Sequence, residues 1–494
     1  MKLQTERDRV AHLLRRFGLG SSETELEYYG HDGLKGAIDR LLGYQDVPVI
    51  GDWDSAAFAN KQGVVNIRVA QGLWYGRVLA TSRPLEERLT IFWHNHFATS
   101  AEKVDSAYAM LRHVDLLRRN CLGKFGTLLS AVSTDPAMIF WLDNNENVVG
   151  KPNENFAREV MELFTLGIGH YTEKDIQEAA RAFTGWTFGV GQRFVRKAGT
   201  APRRADRFIF DRKSHDGGEK TVFGKTGNFG GEDILESLIK NPQTSLYITQ
   251  KFLTWFAYPN PETRWVERLA KKFSDSDLDI GTLVRAIMES EEFYSERAAN
   301  SLIKNPVDFC VATARQLGIG ARISASVDDA IANPIVNAEN GLNQKALRAI
   351  APAFAVRQSM DSMGMDLMYP PDVSGWKPGS NWITTSTVVE RIKWGDRLFL
   401  PSAAAIRANV GAQGNRNPSV GYDASEILGG LSDPKDVVAK LVSVFDARIS
   451  ENTNKTLVQS ASDEMRGTMT RIQANAVAKG VSKLLFASPE FQFN

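Results

Sequence analysis

The sequence has few of the residues that build disulfide scaffolds or metal clusters. Cys121 and Cys310 are the only cysteines among its 494 residues. Two cysteines are too few for a disulfide framework or for a cysteine-based zinc site. The chain also lacks any apolar run near the roughly 20 residues that a membrane-spanning helix needs, so we expect no transmembrane span.

The chain has no excess of charge of either sign. Its 59 lysines and arginines offset 58 aspartates and glutamates, which leaves a net charge of +1. Such a balance gives no general attraction to nucleic acid or to anionic membranes, so we expect neither as a partner. Residues 1–8 lack the apolar core of a secretory signal. The expected compartment is the cytoplasm by default, or an exported location if the sequence is a processed form.

Several common catalytic motifs are also absent. The sequence contains no P-loop, no GxSxG elbow, no GxGxxG after a predicted strand and no HExxH. It places no ExxH pair on a predicted core helix, as a di-iron bundle would require. An active site, if there is one, must therefore be sought where polar side chains cluster on otherwise apolar helices.

Helical periodicity runs through most of the chain. Hydrophobic residues make up 43% and charged residues 24%, which is ordinary for a globular protein. The exception is the stretch 192–211, where two short alternating runs, 193–195 and 207–210, predict a β-hairpin. The predicted fold class is mainly α: a multi-helix globular array with one small β-hairpin insertion.

The length exceeds that of a single typical core, so we expect more than one region. Residues 1–187 form a predicted N-terminal helical region that holds the WHNH motif (93–96) and the NENFARE motif (153–159). Residues 188–230 form the predicted hairpin and polar-loop insertion. Residues 231–494 form a predicted C-terminal helical region with a loop rich in proline, glycine and tryptophan.

The densest polar set lies on a predicted helix at 154–166, which Asn153 would cap and Gly167 would end. One face is continuously apolar. The opposite arc carries Asn155, Arg158, Glu159, Glu162 and Thr165. A charge stripe of this kind is often a solvated face, but this one lacks lysine and has aromatic flanks. We predict that Glu159 and Glu162 are shielded and hydrogen-bonded, with Arg158 as the partner of one.

The helix predicted at 84–96 ends with His94 and His96. Residues two apart lie about 200° apart on a regular helix, so both rings cannot face one metal ion there. Each histidine alone is more often a core or surface residue, although histidine is the usual acid–base group near neutral pH and a common metal ligand. We predict that one of them lies within side-chain reach of Glu159 or Glu162.

Two loops are predicted to border this cluster. His215 and Asp216 begin a polar turn that is either a simple turn or a lid. Trp376 lies in the proline- and glycine-rich loop at 370–379, where it either anchors the loop by packing or lines a cleft. The predicted catalytic residues are His94, His96, Arg158, Glu159 and Glu162. The predicted substrate-binding residues are Asn153, Asn155, His215, Asp216 and Trp376.

Seven short motifs, in this order, carry a resemblance to a known family. They are RRFGLG (15–20), FWHNHF (92–97), NENFARE (153–159), AFTGW (182–186), HDG (215–217), PPDVSGW (370–376) and ASPEF (487–491). Together they resemble the bacterial family catalogued as domain of unknown function 1800, over essentially the whole chain. The resemblance implies no assigned reaction. It implies that WHNH, NENFARE and HDGG act as a set, that many relatives are exported, and that an alkaline-phosphatase-like protein often encoded nearby is a partner.

Two classes of function follow. One is an enzyme, hydrolase-like, in which a His/Glu/Arg cluster between helices performs acid–base or metal-assisted chemistry. Its cofactor would then be a divalent metal; if this were zinc, three of these groups would lie roughly 2.0–2.2 Å from the ion. The alternative is a non-catalytic binding or assembly protein, in which the same cluster is a buried hydrogen-bond network that fixes helix register.

Overall fold

The computed structural model describes residues 3–190, 193–194, 207–299, 301–400, 419–465 and 469–494. The chain divides into two compact units. The first comprises Met1–Leu85, Tyr294–Leu367 and Pro378–Asn494, and the second comprises Glu86–Phe293 and Met368–Lys377. The short segment Met368–Lys377 therefore returns to the second unit from far along the sequence. The division into three consecutive regions stays a prediction.

Helices dominate both units, as predicted. The first segment of the chain contains α1 (Glu6–Phe17), α2 (Glu23–Gly30), α3 (Gly33–Leu42) and α4 (Ile67–Ala80). The next helices are α5 (Pro84–His96), α6 (Ala101–Val104), α7 (Ala107–Arg119), α8 (Phe125–Ser133), α9 (Pro136–Trp141), α10 (Asn155–Met161), α11 (Glu173–Ala182), α12 (Gly231–Ile239), α13 (Pro242–Phe256), α14 (Thr263–Asp275) and α15 (Ile280–Met288). No helix of the described ranges is long and apolar enough to cross a lipid bilayer.

The remaining helices belong to the first unit. They are α16 (Ala312–Gln316), α17 (Ile319–Ala332), α18 (Gln344–Ala349), α19 (Ala351–Ser362), α20 (Thr385–Leu398), α21 (Ser425–Leu428), α22 (Pro434–Val444), α23 (Glu451–Glu464) and α24 (Arg471–Ala487). Single 3-10 turns occur at Tyr44–Asp46, Ser55–Phe58, Asn144–Glu146, Arg212–Ser214, Glu291–Tyr294, Gly379–Trp382 and Pro489–Gln492. Two π-helical turns, Glu162–Leu166 and Val307–Val311, follow or precede α-helical segments directly.

The strands lie in the second unit. β1 (Trp186–Val190) pairs antiparallel with both β2 (Arg193–Phe194) and β3 (Arg207–Phe210), in the order β2-β1-β3. The two predicted runs are thus strands, but each pairs with β1 rather than with the other. The rest of the predicted hairpin, 191–192 and 195–206, lies outside the described residues. A second hairpin, β4 (Lys220–Val222) with β5 (Lys225–Gly227), begins inside the stretch interpreted as a polar turn.

Local sequence explains where the helices of the candidate site begin and end. The Thr172 side chain accepts the Asp175 N–H at 3.1 Å, and the Asp175 carboxylate accepts the Thr172 N–H at 2.9 Å. This is the capping box predicted for α11. α10 begins at Asn155, one residue later than predicted, and its N–H donates to Asn153 Oδ1 at 3.0 Å. The helix continues through the π-turn to Gly167, whose φ of +79° ends it.

Helix α5 is buried on nearly every side. The rings of Phe92 and Trp93 pack against Phe252 of α13, with centroids 4.4 and 5.5 Å away. Only Asn95 among its last eleven residues is more than marginally exposed. A polar side chain on such a helix is removed from water and needs a protein hydrogen bond. The histidines at its end are therefore core residues, and their partners decide what they do.

Candidate functional site

Glu159 and Glu162 lie on the same side of the α10 helix and are both half-buried. Within the described ranges, no group hydrogen-bonds to the Glu159 carboxyl, contrary to the prediction. Burial raises the pKa of Glu159 to about 7, the nearby Glu162 and Asp372 add to this rise, and Arg158 opposes it. A carboxyl of this kind exchanges its proton near neutral pH, as a general acid or base must.

Arg158 does not hydrogen-bond to either of these glutamates. Its guanidinium donates to Glu173 at 3.0 and 2.8 Å and to Glu154 at 3.2 Å. The prediction that Arg158 is the hydrogen-bonded partner of Glu159 or Glu162 is therefore wrong. The i−4 neighbour Glu154 and the first turn of α11 take up its donors, so Arg158 acts on Glu159 only through its charge.

Two tyrosines flank the carboxyl pair. The Tyr171 hydroxyl donates to Glu162, and the burial of Tyr171 together with this carboxylate raises its pKa. The Tyr247 hydroxyl donates to the Leu163 carbonyl at 3.0 Å. Burial and the charge of Glu162 likewise raise the pKa of Tyr247. Both phenols therefore stay protonated near neutral pH and act as donors.

The loop Met368–Lys377 adds a third carboxylate to this face. Asp372 is exposed, and its Oδ1 accepts the Ser374 N–H at 2.8 Å and the Ser374 hydroxyl at 2.6 Å. Its charge contributes to the raised pKa of Glu159, so the loop lies beside the carboxyl pair. We call Glu159, Glu162, Tyr171, Tyr247 and Asp372 the carboxyl cluster.

His96 caps the backbone of the π-turn beneath this cluster. Three backbone carbonyls near the end of this helix have no helical partner and accept from side chains instead. His96 Nε2 donates to Phe164 O at 3.1 Å, and Gln243 Nε2 donates to Leu166 O at 3.0 Å. Tyr247 supplies the third bond, to Leu163. Gly167 allows this ring to come close, because a Cβ there would lie 2.9 Å from it.

The other members of the WHNH motif also bind backbone atoms. Trp93 Nε1 donates to Cys121 O at 3.0 Å. The Met368 N–H donates to His94 Nε2 at 3.1 Å, and the Trp376 N–H donates to Asn95 Oδ1 at 2.6 Å. The motif therefore fastens the loop Met368–Lys377 at two points. Met368 has a φ of +71°, a strained conformation for a non-glycine residue that these contacts help to hold.

Both histidines are neutral. Burial lowers the pKa of His94 to about 3, with a further contribution from His113. Burial and the charge of Lys251 hold the pKa of His96 well below its ordinary value. His94 accepts through Nε2, so its proton lies on Nδ1; His96 donates through Nε2, so its proton lies there. In the described residues, neither ring hydrogen-bonds to Glu159 or Glu162, as the predicted cluster would have it. Both rings bind backbone groups instead.

His215 and Asp216 form a separate clasp. His215 Nδ1 donates to Thr184 O at 2.9 Å, and the Asp216 N–H donates to Thr184 Oγ1 at 2.8 Å. Arg181 donates to the Asp216 carboxylate at 2.8 and 3.3 Å and lowers the pKa of this group to about 2. These contacts join the HDGG stretch to the end of α11, and none of them reaches the carboxyl cluster. Hydrogen bonds therefore fix the first two residues of the stretch that was interpreted as a turn or a lid.

The remaining predicted site residues make structural hydrogen bonds or packing contacts. Asn153 N–H donates to Asn147 Oδ1 at 2.9 Å, and Asn155 Nδ2 donates to Leu142 O at 3.2 Å. Trp376 is 3% exposed and its ring centroid lies 5.6 Å from that of His94. The interpretation that Trp376 anchors the loop by packing therefore fits its burial, while the charge of Asp372 in the same loop acts on Glu159.

Several polar residues of the second unit were not predicted from the sequence. His113 Nδ1 lies 2.9 Å from Asp135 Oδ2, both side chains are buried, and the two residues are 22 positions apart. Lys251 of α13 is half-buried, which lowers its pKa to about 8, and its Nζ lies 5.4 Å from the Tyr247 ring centroid. No local pattern marks these residues, because helix packing brings them together.

In the described residues, no three His, Cys, Asp or Glu side chains form a group that could hold a metal ion.

The model of one family, described as a protein of unknown function (DUF1800), matches residues 12–493. The chain belongs to this family. The match spans both units, so the DUF1800 region includes the carboxyl cluster, the WHNH contacts and the HDGG clasp. Neither the curated proteins nor the solved structures gave a match to this chain.

The raised pKa of Glu159 predicts how stability depends on pH. The folded state holds this proton up to about pH 7, whereas the unfolded chain releases it near the ordinary value of 4.5. The contribution of Glu159 to the free energy of unfolding therefore decreases as the pH rises from 4.5 to 7. In urea titrations at pH 5, 6, 7 and 8, Glu159→Gln should lack this decrease. Wild-type and variant curves that stay parallel across the range would contradict it.

Proposed function

We propose that the chain is a hydrolase-like enzyme whose acid–base group is Glu159. The observation that carries the proposal is a half-buried carboxyl with a pKa of about 7 and no hydrogen-bond partner in the described residues. Buried structural carboxylates are normally paired. An unpaired one beside two further carboxylates, Glu162 and Asp372, is typical of sites that transfer protons.

The neighbouring groups have complementary roles in this proposal. Burial and, after it, the negative charge of Glu162 favour the protonated form of Glu159, and the Tyr171 hydroxyl orients Glu162. Glu159 would donate its proton to a leaving group or remove one from an attacking water. Because no three His, Cys, Asp or Glu side chains of the described residues form a metal site, a metal-assisted reaction would need substrate or water to supply most of the ligands of the ion. The histidines contribute by fixing the loop and the π-turn.

A second candidate is supported by the WHNH contacts. His94, Asn95 and His96 each bind a backbone group at 3.1 Å or less, and they connect α5 to the loop and to the π-turn. This is the register-fixing network expected of a non-catalytic binding or assembly protein. In a binding or assembly protein, the carboxyl cluster would be an acidic binding surface. An alkaline-phosphatase-like protein would be a partner in either case.

The test is hydrolysis of chromogenic substrates from three classes: carboxylic esters, glycosides and phosphate monoesters. Each is assayed from pH 5 to 9, with and without added Zn²⁺ or Mg²⁺. For the class that is cleaved, Glu159→Gln should lower kcat/KM by about 10²–10⁴-fold, the usual effect of losing a general acid–base group. The wild-type pH profile should bend near pH 7 because Glu159 titrates there.

Glu219→Gln is the matched control, because Glu219 is an exposed glutamate of the same unit outside the carboxyl cluster. This variant should keep the wild-type rate. Equal rates for wild type and Glu159→Gln would remove Glu159 from the mechanism. Absence of turnover in all three classes, at every pH and with either metal, would favour the binding or assembly function instead.

A further inference from the structure

A small cavity in the first unit is lined by polar groups, not all of which hydrogen-bond to one another. Its volume is about 20 Å³, and its lining includes Arg15, Lys304, Asp446, Phe491 and Asn494. Space of this size accommodates one or two water-sized occupants. Two of the family motifs meet here, since Arg15 begins RRFGLG and Phe491 ends ASPEF. The cavity is unrelated to the carboxyl cluster, which lies in the second unit.

Lys304 is one of the residues that line this space. The residue is 8% exposed, and its Nζ lies 3.5 Å from the centroid of the Phe491 ring. No acceptor in the described part of the chain forms a hydrogen bond with this Nζ. The backbone on either side of the side chain is fixed, because Lys304 N–H donates to Gln492 O at 2.7 Å and Arg391 donates to Lys304 O at 2.6 Å.

Asn494 adds a second buried donor. It is 5% exposed, and its Nδ2 has no hydrogen-bond partner in the described ranges. Its N–H donates to Leu302 O at 2.8 Å, and its backbone oxygen accepts from Arg16 at 2.9 Å. The amide is therefore held at the cavity wall. A buried donor without an acceptor costs about 1–3 kcal/mol, so the unpartnered Asn494 amide, in a cavity that Lys304 also lines, indicates a missing acceptor.

The carboxylates of the cavity have other partners. Asp446 pairs with Arg15 and accepts the Ser21 hydroxyl. Asp308 Oδ2 accepts the Asn305 N–H at 3.3 Å. The charged groups that act on Lys304 are Arg15 of α1, Arg391 of α20, Asp308 of the second π-turn and Asp446. With Lys304 protonated, these five groups carry three positive and two negative charges, an excess of one positive charge.

We propose that this cavity binds one small monovalent anion of the size of chloride, between Lys304 Nζ and Asn494 Nδ2. The anion supplies the missing acceptor for both donors and balances the excess positive charge. Phe491 forms an apolar wall that keeps the Lys304 ammonium in place. The space of about 20 Å³ favours a small anion over a larger one. This inference does not depend on the function proposed for the carboxyl cluster.

The pH dependence of binding follows from Lys304. Burial, helped by Arg15, lowers the pKa of its amine to about 7 in the empty site. The anion prefers the protonated amine, so its affinity should be high at pH 6 and should decrease at pH 9. Bound anion should in turn raise the pKa of Lys304. Neither effect is expected if the cavity holds only water.

The experiment measures the melting temperature in sodium chloride against sodium gluconate at equal ionic strength. Gluconate is too large for the cavity and serves as the reference anion. At pH 6 chloride should raise the melting temperature of the wild type by about 2–4 °C, and at pH 9 this difference should shrink. Line broadening of ³⁵Cl by the protein at pH 6 gives an independent measure of binding.

Lys304→Met should abolish both the chloride effect and the line broadening, and it should fold because it removes a buried charge. Asn494→Leu, which removes only the amide donor, should weaken them. Lys440→Met, at an exposed lysine of the same unit, should keep the wild-type response. Equal melting temperatures of the wild type in the two salts at pH 6, or a chloride effect that persists in Lys304→Met, would overturn the proposal.

Discussion

Gly375→Ala should destabilise the second unit by about 2–5 kcal/mol. Gly375 has a φ of +75°, and a Cβ there would lie 2.3 Å from the Asn95 carbonyl oxygen and 2.4 Å from Asn95 Oδ1. The conformation alone costs an L-residue roughly 1–2 kcal/mol. Overlap with a backbone atom adds about 1–3 kcal/mol, because α5 is buried and cannot move aside. The loop must then shift and lose the bond from Trp376 N–H to Asn95.

The matched control is Gly150→Ala in the same unit. Gly150 has a nearly identical φ of +79°, but no heavy atom would lie within 4 Å of its Cβ. Its cost should be only the conformational part, about 1–2 kcal/mol. Urea titration gives both free energies of unfolding, and hydrogen exchange of the peptide covering 368–377 reports the local loss. Equal costs for the two variants would show that the contact with Asn95 does not hold the loop.

The sequence predicted the local features of the candidate site well. The capping box of α11 and the end of the α10 helix at Gly167 depend on residues within one helical turn, so a single stretch of sequence defines them. The mainly α class likewise follows from the 3.6-residue period. The π-turn at Glu162–Leu166 was not predicted, because side chains from α5 and α13 stabilise it through its carbonyls.

The partners of polar side chains were harder to predict. His94 bonds the N–H of Met368, which is 274 positions away, and His96 bonds a carbonyl 68 positions away. Every residue has such backbone groups, so no residue type marks a partner in the sequence. Arg158 illustrates a second reason. Glutamates on the same helix and on the next compete for one guanidinium, and the fold pairs it with both Glu154 and Glu173.

Breaking the buried pair of Glu87 and Arg118 should cost about 3–5 kcal/mol of the free energy of unfolding. Glu87 of α5 has no exposed side-chain surface and the Arg118 side chain is 9% exposed. The guanidinium donates to both carboxylate oxygens, through Nε and, at 3.2 Å, through a terminal nitrogen. Burial alone lowers the pKa of Arg118, but Glu87 raises it above its ordinary value. Glu87→Ala would therefore leave in the core a cation that cannot lose its proton, with the part-exposed Asp115 at 3.6 Å as a remaining charged partner.

The double variant Glu87→Leu with Arg118→Met separates the charge from the packing. Removing both charges also removes the desolvation cost, so we expect the double variant to be close to the wild type and well above Glu87→Ala. Arg119→Met is the exposed control: Arg119 bonds Asp115 at 2.7 Å with 69% of its side chain exposed, and its loss should cost at most about 1 kcal/mol. Urea titrations of the four proteins give the comparison. A double variant as unstable as Glu87→Ala would mean that the cost comes from lost volume in the core rather than from the Arg118 charge that has lost Glu87.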